Sequence, residues 1–167
     1  MTGSPPVLRP GTRGDRAFVR RLSAEVFSRF GEYDRLLPAL LDSASIETIV
    51  LEVGGAAAGF VMLDPYGGPE GEGDLIAIAV EPRHQGRGLG KMLLSHAEDL
   101  VRDGDRSARR AIWLTVADDN VEARSLFDRS GYRVVDADHG RYEGGQRSIA
   151  MRKELTSDRT RPSRSSR

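Results

Sequence analysis

The stretch with the most chemical potential is Gln85-Gly86-Arg87-Gly88-Leu89-Gly90-Lys91. Three glycines alternate there, cations follow two of them, and apolar residues flank the whole. Glycine inside a regular element costs about 0.5–1 kcal/mol relative to alanine, so three this close together point to a demanded backbone geometry. A strand that runs into a glycine turn and then a helix is an arrangement for holding phosphate. The helix N-terminus offers unpaired N–H groups and about half a positive charge, and glycine lets the backbone close on the ligand. Arg87 and Lys91 add charge. Two common phosphate loops are excluded by residue type. A dinucleotide fingerprint needs glycine where Lys91 stands; a P-loop needs glycine at Gln85 and Ser or Thr at Met92. Taken alone, such a turn also fits a plain connection between strand and helix.

The elements around the loop follow from periodicity. A short strand at Val7-Leu8-Arg9 precedes a helix from Asp15 to Phe30, whose Phe18, Leu22, Val26 and Phe30 form an apolar stripe closed by Gly31. A second helix spans Asp34 to Leu41. Thr48 to Val53 and Ala58 to Leu63 read as strands joined by a turn at Gly54-Gly55. After a loop from Pro65 to Gly73, Asp74 to Val80 is nearly all apolar, the pattern of a central strand buried on both faces. Beyond the glycine loop, Leu89, Leu93, Ala97 and Leu100, with Met92 and Val101 beside them, mark a long helix. Ile112 to Val116 is a further strand. Asp119 or Asn120 caps a helix that runs to Ser130, with Gly131 as its stop. Strands near Arg133-Val134-Val135 and Ser148 to Met151 flank a turn at Gly144-Gly145. From Thr156 onward the Ser/Arg-rich chain reads as a disordered tail.

The chain has 167 residues, 30% charged and 38% apolar, the composition of one ordinary domain. Lys+Arg and Asp+Glu balance at 25 each, which gives no charge-based case for nucleic acid or an anionic membrane. The absence of cysteine excludes disulfides, thiolate nucleophiles and Cys-ligated zinc. His84, His96 and His139 lack metal-ligand spacing, so no metal is expected. No apolar signal core or membrane span is present in the sequence, and a cytoplasmic location is expected.

Two blocks resemble the GNAT N-acetyltransferases. Gln85-x-x-Gly88-x-Gly90, after Ile78-Ala79-Val80-Glu81-Pro82, is similar to that family's acyl-CoA pyrophosphate loop. Asn120-x-x-Ala123-x-x-Leu126-Phe127-x-x-x-Gly131-Tyr132 resembles its second signature. The resemblance covers residues 6–155 and looks most like the members that acetylate ribosomal-protein and other N-terminal alanines. It implies an α/β fold with a mixed, mostly antiparallel, twisted sheet of six or seven strands, about four helices and a splayed central strand pair. It implies acetyl-CoA as co-substrate, held by Ile78, Ala79 and Val80, by Gln85, Gly86, Arg87, Gly88, Gly90 and Lys91, and by Asn120 and Phe127. The Val80 N–H is where the thioester carbonyl would be polarised. A homodimer is compatible with such a fold.

Transfer to an amine needs a neutral nitrogen. A lysine-like amine costs roughly 4–5 kcal/mol to deprotonate at pH 7 and an α-amine about 1–1.5 kcal/mol, so a base is useful. Some GNAT members place a glutamate six residues before the valine that ends the central strand; Asp74 stands there. Others place one on the next strand, where this chain has Thr115. Glu72 and Glu81 are further candidates. Members often carry a tyrosine acid at the position of Phe127; Tyr132 and Tyr142 are the candidate substitutes. Tyr132 also fits a core position, and Tyr142 also fits a substrate contact in the last hairpin or a scaffold aromatic. Acidic residues at Glu70, Glu72, Asp74, Asp118, Asp119, Asp136 and Asp138 read either as a field for a cationic amine or as solvated loops. The expected reaction is direct attack in a ternary complex. A peptide or protein N-terminus is favoured as acceptor over a small-molecule amine such as an aminoglycoside or polyamine. The rival reading is a CoA-binding sensor without catalysis, suggested by Thr115 and Phe127.

Overall fold

The computed structural model describes residues 3–104 and 110–155; the tail from Thr156 onward lies outside the described residues. Strands β1 (Val7–Pro10), β2 (Glu47–Val53), β3 (Ala56–Asp64), β4 (Gly73–Val80), β5 (Ala111–Ala117), β6 (Arg133–Arg141) and β7 (Arg147–Glu154) form one sheet in the order β1-β2-β3-β4-β5-β7-β6. The helices are α1 (Arg16–Phe27), α2 (Tyr33–Leu40), α3 (Leu89–Arg102) and α4 (Val121–Arg129). The mixed sheet, the four helices and the element order agree with the expected fold.

Every neighbouring pair in the sheet is antiparallel except β4 and β5. Parallel neighbours need a long crossover, and α3 supplies it. The sheet separates two apolar cores. One is built from α1 and α2 residues such as Val19, Leu22 and Leu37 against Phe60, Met62, Ala77 and Ala79. The other sets α3 and α4, through Leu89, Leu93, Leu94, Ala97 and Phe127, against Leu63, Leu75, Ile112 and Leu114.

The sheet is irregular at its centre, where β4 carries a bulge. Met62 pairs with Ala77 and Leu63 with Leu75, so Ile76 has no partner on β3. A bulge bends its strand and increases the local twist. On the other edge of β4, pairing with β5 holds at Gly73–Ile112, Asp74–Trp113 and Leu75–Leu114 and then stops. The strands part from Ile76 onward.

Three expectations need correction. Helix α1 ends at Phe27, not Phe30, and its buried face is Val19, Leu22 and Ser23; Phe18 and Val26 are only partly buried. A strict four-residue spacing slips about 40° round the helix per step, so it cannot follow a core face. On α3, Leu94 is buried while Met92 is exposed. Strand β6 runs to Arg141, six residues past the expected end. It is the sheet edge and exposed at every position, so its Asp136-Ala137-Asp138-His139-Gly140 stretch carries no alternation to read.

Candidate active site

The gap between β4 and β5 is an open cleft with a cavity volume of about 110 Å³. Leu75 to Ile78 form one wall and Leu114 to Ala117 the other. Asn120, Ala123 and Phe127 of the α4 region close one side, and Phe27, Phe30, Tyr33 and Tyr142 gather on another. The lining is largely apolar; among the described residues its polar side chains are Tyr33, Thr115, Asn120 and Tyr142, with no carboxylate.

The glycine loop leads from the end of β4 to α3. Gly86 and Gly88 both have φ near +77°, and Gly88 is the residue immediately before the helix. This left-handed conformation strains any residue with a Cβ, which accounts for the glycines. Gly90 has no such backbone; a Cβ there would only touch Leu126 Cδ2 at 3.4 Å. Gln85 turns back and donates from Nε2 to the Val80 carbonyl at 3.1 Å, holding the loop to the strand. The Glu81 N–H donates to Ala58 O on β3 at 2.8 Å. Amides alternate in direction along a strand, so those of Ile78 and Val80 point to the opposite edge, where β5 has departed. Ala79 packs its side chain into the α1–α2 core and lines no part of the cleft.

Asn120 caps α4 by accepting from the Ala123 N–H at 3.3 Å, and it lines the cleft. Arg87 and Lys91 are exposed, and Arg87 Nη1 lies 3.0 Å from His84 Nδ1. These features fit an extended CoA. Ile78 lines the apolar gap; Val80 and the glycine loop do not, but β4 runs on from Ile78 through Val80 to a helix N-terminus with left-handed glycines and two cations.

Asp74 sits just below the cleft, where β4 and β5 are still paired, directly across from Asp64 on β3. Burial pushes its carboxyl above the ordinary range, and the neighbouring Asp64 adds to this. Glu72 is buried and held by Arg152 through Nε and Nη2 at 2.7–3.0 Å. Glu81 is buried between Arg21 and Arg83, and the Arg21 hydrogen bond holds its carboxyl below the usual range against the effect of burial. Neither is available as a base. Part of the acidic field is cancelled as well, since Glu72 pairs with Arg152, Asp118 with Arg147 and Asp119 with Arg29.

Tyr132 is a core residue. Its hydroxyl donates to buried Glu98 at 3.2 Å, Lys153 holds the same carboxylate at 3.0 Å, and burial drives the phenol far above its ordinary pKa. It does not line the cleft and cannot serve as the acid. Tyr142 does line it, and its hydroxyl lies 3.5 Å from Thr115 Oγ1. Phe127 is buried in the cleft wall, 5.6 Å from the Tyr132 ring. Phe27, Phe30 and Tyr33 are cleft residues that no sequence pattern marks. They read as helix stripe or loop, and only the approach of the α1–α2 connection to the sheet brings them in. Phe127→Tyr is expected to raise the single-turnover rate modestly, well under the ~10²–10⁴-fold of an effective acid, because a thiolate leaves well unaided. A large loss would show that the hydroxyl is stranded in apolar surroundings away from the reacting sulfur.

Comparison with known proteins agrees with this geometry. The family model described as Acetyltransferase (GNAT) family matches residues 16–132, and the chain belongs to that family. Streptothricin acetyltransferase of Streptomyces lavendulae is 36% identical over 67 residues, 40% of this chain and 34% of that protein. N-alpha-acetyltransferase RimI of Mycobacterium tuberculosis is 32% identical over 83 residues, 49% of each chain. The matched stretch thus spans about a third to a half of these relatives. The structure of yncA from Salmonella typhimurium with its cofactor acetyl-CoA superposes with a TM-score of 0.72 at 18% identity, covering 96% of this chain and 99% of that one. Among the described residues, no helix is long and apolar enough to cross a membrane, and no group of three or more His, Cys, Asp or Glu residues could hold a metal.

Proposed function

We propose that the protein is an acetyl-CoA-dependent N-acetyltransferase that acylates a primary amine by direct attack. The observation that carries this reading is the parting of β4 from β5 above Leu75, beside a left-handed glycine loop at a helix N-terminus. Bound acetyl-CoA supplies the activated acyl group. Gly86, Gly88 and the first turn of α3 hold its pyrophosphate with Arg87 and Lys91; Ile78, Val80 and Asn120 hold its arm, and Phe127 packs on it. The Val80 N–H donates to the acyl oxygen. Asp74 takes the amine proton through water, since among the described residues no carboxylate lines the cleft itself. Tyr142 is the hydroxyl placed to meet the acceptor or to return a proton to sulfur.

An indirect base suits an acceptor that needs little help. An α-amine near pKa 8 costs only about 1–1.5 kcal/mol to deprotonate at neutral pH, against roughly 4–5 kcal/mol for an alkyl amine. This favours a peptide or protein N-terminus. The relatives are named for both kinds of acceptor, streptothricin and an N-alpha position. A second reading, a CoA-binding sensor, draws on Thr115 and Phe127, which put neither carboxylate nor phenol at two cleft positions. Turnover of acetyl-CoA with N-terminal peptides, spermidine and an aminoglycoside separates the two. Acetylated product with equimolar CoA release is expected, and CoA binding without any acetylated amine would establish the sensor.

A further inference from the structure

We infer that His84 is a positioning residue for Arg87: through its unprotonated Nδ1 it holds the guanidinium ready for the CoA phosphates and so sets CoA affinity through another side chain. The inference rests on the reading of the glycine loop as the CoA phosphate site. Arg87 Nη1 lies 3.0 Å from His84 Nδ1. A guanidinium can only donate, so Nδ1 accepts and carries no proton. The ring proton is then on Nε2, and that nitrogen stands 4.0 Å from Glu81 Oε2. The histidines lack metal-ligand spacing, and this one has a cation as its partner.

Glu81 is the fixed end of the chain. Its carboxylate is buried and accepts from Arg21 of α1 at 2.6 Å and from Arg83 at 2.8 Å. Its own N–H is tied to Ala58 O on β3 at 2.8 Å. A carboxylate behind an imidazole selects which nitrogen carries the proton and makes the other a better acceptor. His84 closes the short turn Pro82–His84, its N–H on Glu81 O at 2.9 Å, and its side chain is 17% exposed. Arg87 is exposed and stands between Gly86 and Gly88, the two left-handed glycines. A long side chain between such neighbours loses rotamer freedom when it meets a phosphate. Bonded to His84, Arg87 has lost part of that freedom beforehand, and the difference appears as affinity.

The test is a double-mutant cycle on the Kd for CoA, read by calorimetry. His84→Phe keeps a flat ring and removes both nitrogens; it is expected to raise the Kd about fivefold, within the range of coupled neighbours. In an Arg87→Met background the same change is expected to move the Kd less than about twofold. His84→Asn, whose amide oxygen stands near the place of Nδ1, should recover most of the loss. An unchanged or tighter Kd in His84→Phe, an equal loss in the Arg87→Met background, or an asparagine variant as weak as phenylalanine would each overturn the inference. A second readout needs no ligand. In the free wild-type protein at alkaline pH, NMR shifts of the His84 ring nitrogens are expected to show the proton on Nε2, and rotation of the Arg87 guanidinium is expected to be slower than in His84→Phe. A proton on Nδ1, or equal rotation in both proteins, would overturn the pair. A wild-type protein that fails to bind CoA would defeat the acyl-transfer reading and the affinity role with it, and the NMR readout would still show whether the pair itself exists.

Discussion

Asp74→Asn is expected to lower kcat/KM about a hundredfold at neutral pH with an alkyl-amine acceptor, within the ~10²–10⁴-fold range of general-base catalysis. The loss should be smaller with an α-amine and should shrink as pH rises and the amine deprotonates unaided. If Asp74 is the base, the acid limb of the wild-type pH–rate profile is expected to lie above the ordinary carboxylate range, because burial and then Asp64 raise its carboxyl. In the variant that limb should move to the amine's own pKa. Profiles that overlay would remove Asp74 from the mechanism. Stability should move the other way. A carboxyl whose folded pKa is raised stabilises the fold fully below the unfolded pKa and loses that contribution as pH climbs through the folded value. At neutral pH the ionised Asp74 therefore works against the fold, directly across from Asp64. Removing one of two like charges in a cross-strand pair should add roughly 0.2–1 kcal/mol at neutral pH and nothing at low pH. Urea midpoints at the two pH values check this.

Gly88→Val is expected to weaken CoA binding by at least about tenfold. Leaving the left-handed region relieves roughly 1–2 kcal/mol of strain, and about 1.4 kcal/mol corresponds to a factor of ten. The loop would relax to ordinary φ and turn its amides away from the ligand. Space is not the constraint, since a Cβ on Gly88 meets nothing within 4 Å. Asparagine, which tolerates this conformation better than other side chains, should therefore lose less than valine. Gly90→Val should also weaken binding, but for a different reason. Its backbone is ordinary and a Cβ makes only contact with Leu126, so any loss there reports crowding of the ligand itself. Calorimetry on folded variants distinguishes these outcomes, and unchanged affinity in Gly88→Val would displace the pyrophosphate from this loop.

Local chemistry was legible in the sequence where it depends on neighbours in the chain. The glycine turn, the Asn120 cap and the apolar run of β4 were readable because alternation and capping are short-range. The cleft itself was not derivable from periodicity; only the family resemblance implied a splayed pair. Its cause is the bulge at Ile76, one residue in an unbroken apolar run that gives no sign of which position lacks a partner. Ion pairing was equally invisible. Glu72 and Arg152 stand 80 residues apart in sequence, and the pairing that disqualifies Glu72 as a base exists only in the folded sheet. The aromatic end of the cleft belongs to the same class. Phe30 and Tyr142 meet because two loops converge, and Gly144, where a Cβ would lie 1.9 Å from Arg29 O, reads in sequence as an ordinary hairpin residue.

What occupies the gap between β4 and β5 decides the function, and a crystal structure of the protein with CoA shows it. The pyrophosphate is expected over Gly86 to Gly90 and the pantetheine arm along the open edge of β4, within hydrogen-bond reach of the Ile78 and Val80 amides. The thiol is expected in the stretch of cleft bounded by Thr115, Phe127 and Tyr142. CoA bound elsewhere on the molecule, or a β4–β5 gap that closes into continuous pairing beyond Leu75 when CoA is present, would contradict this placement.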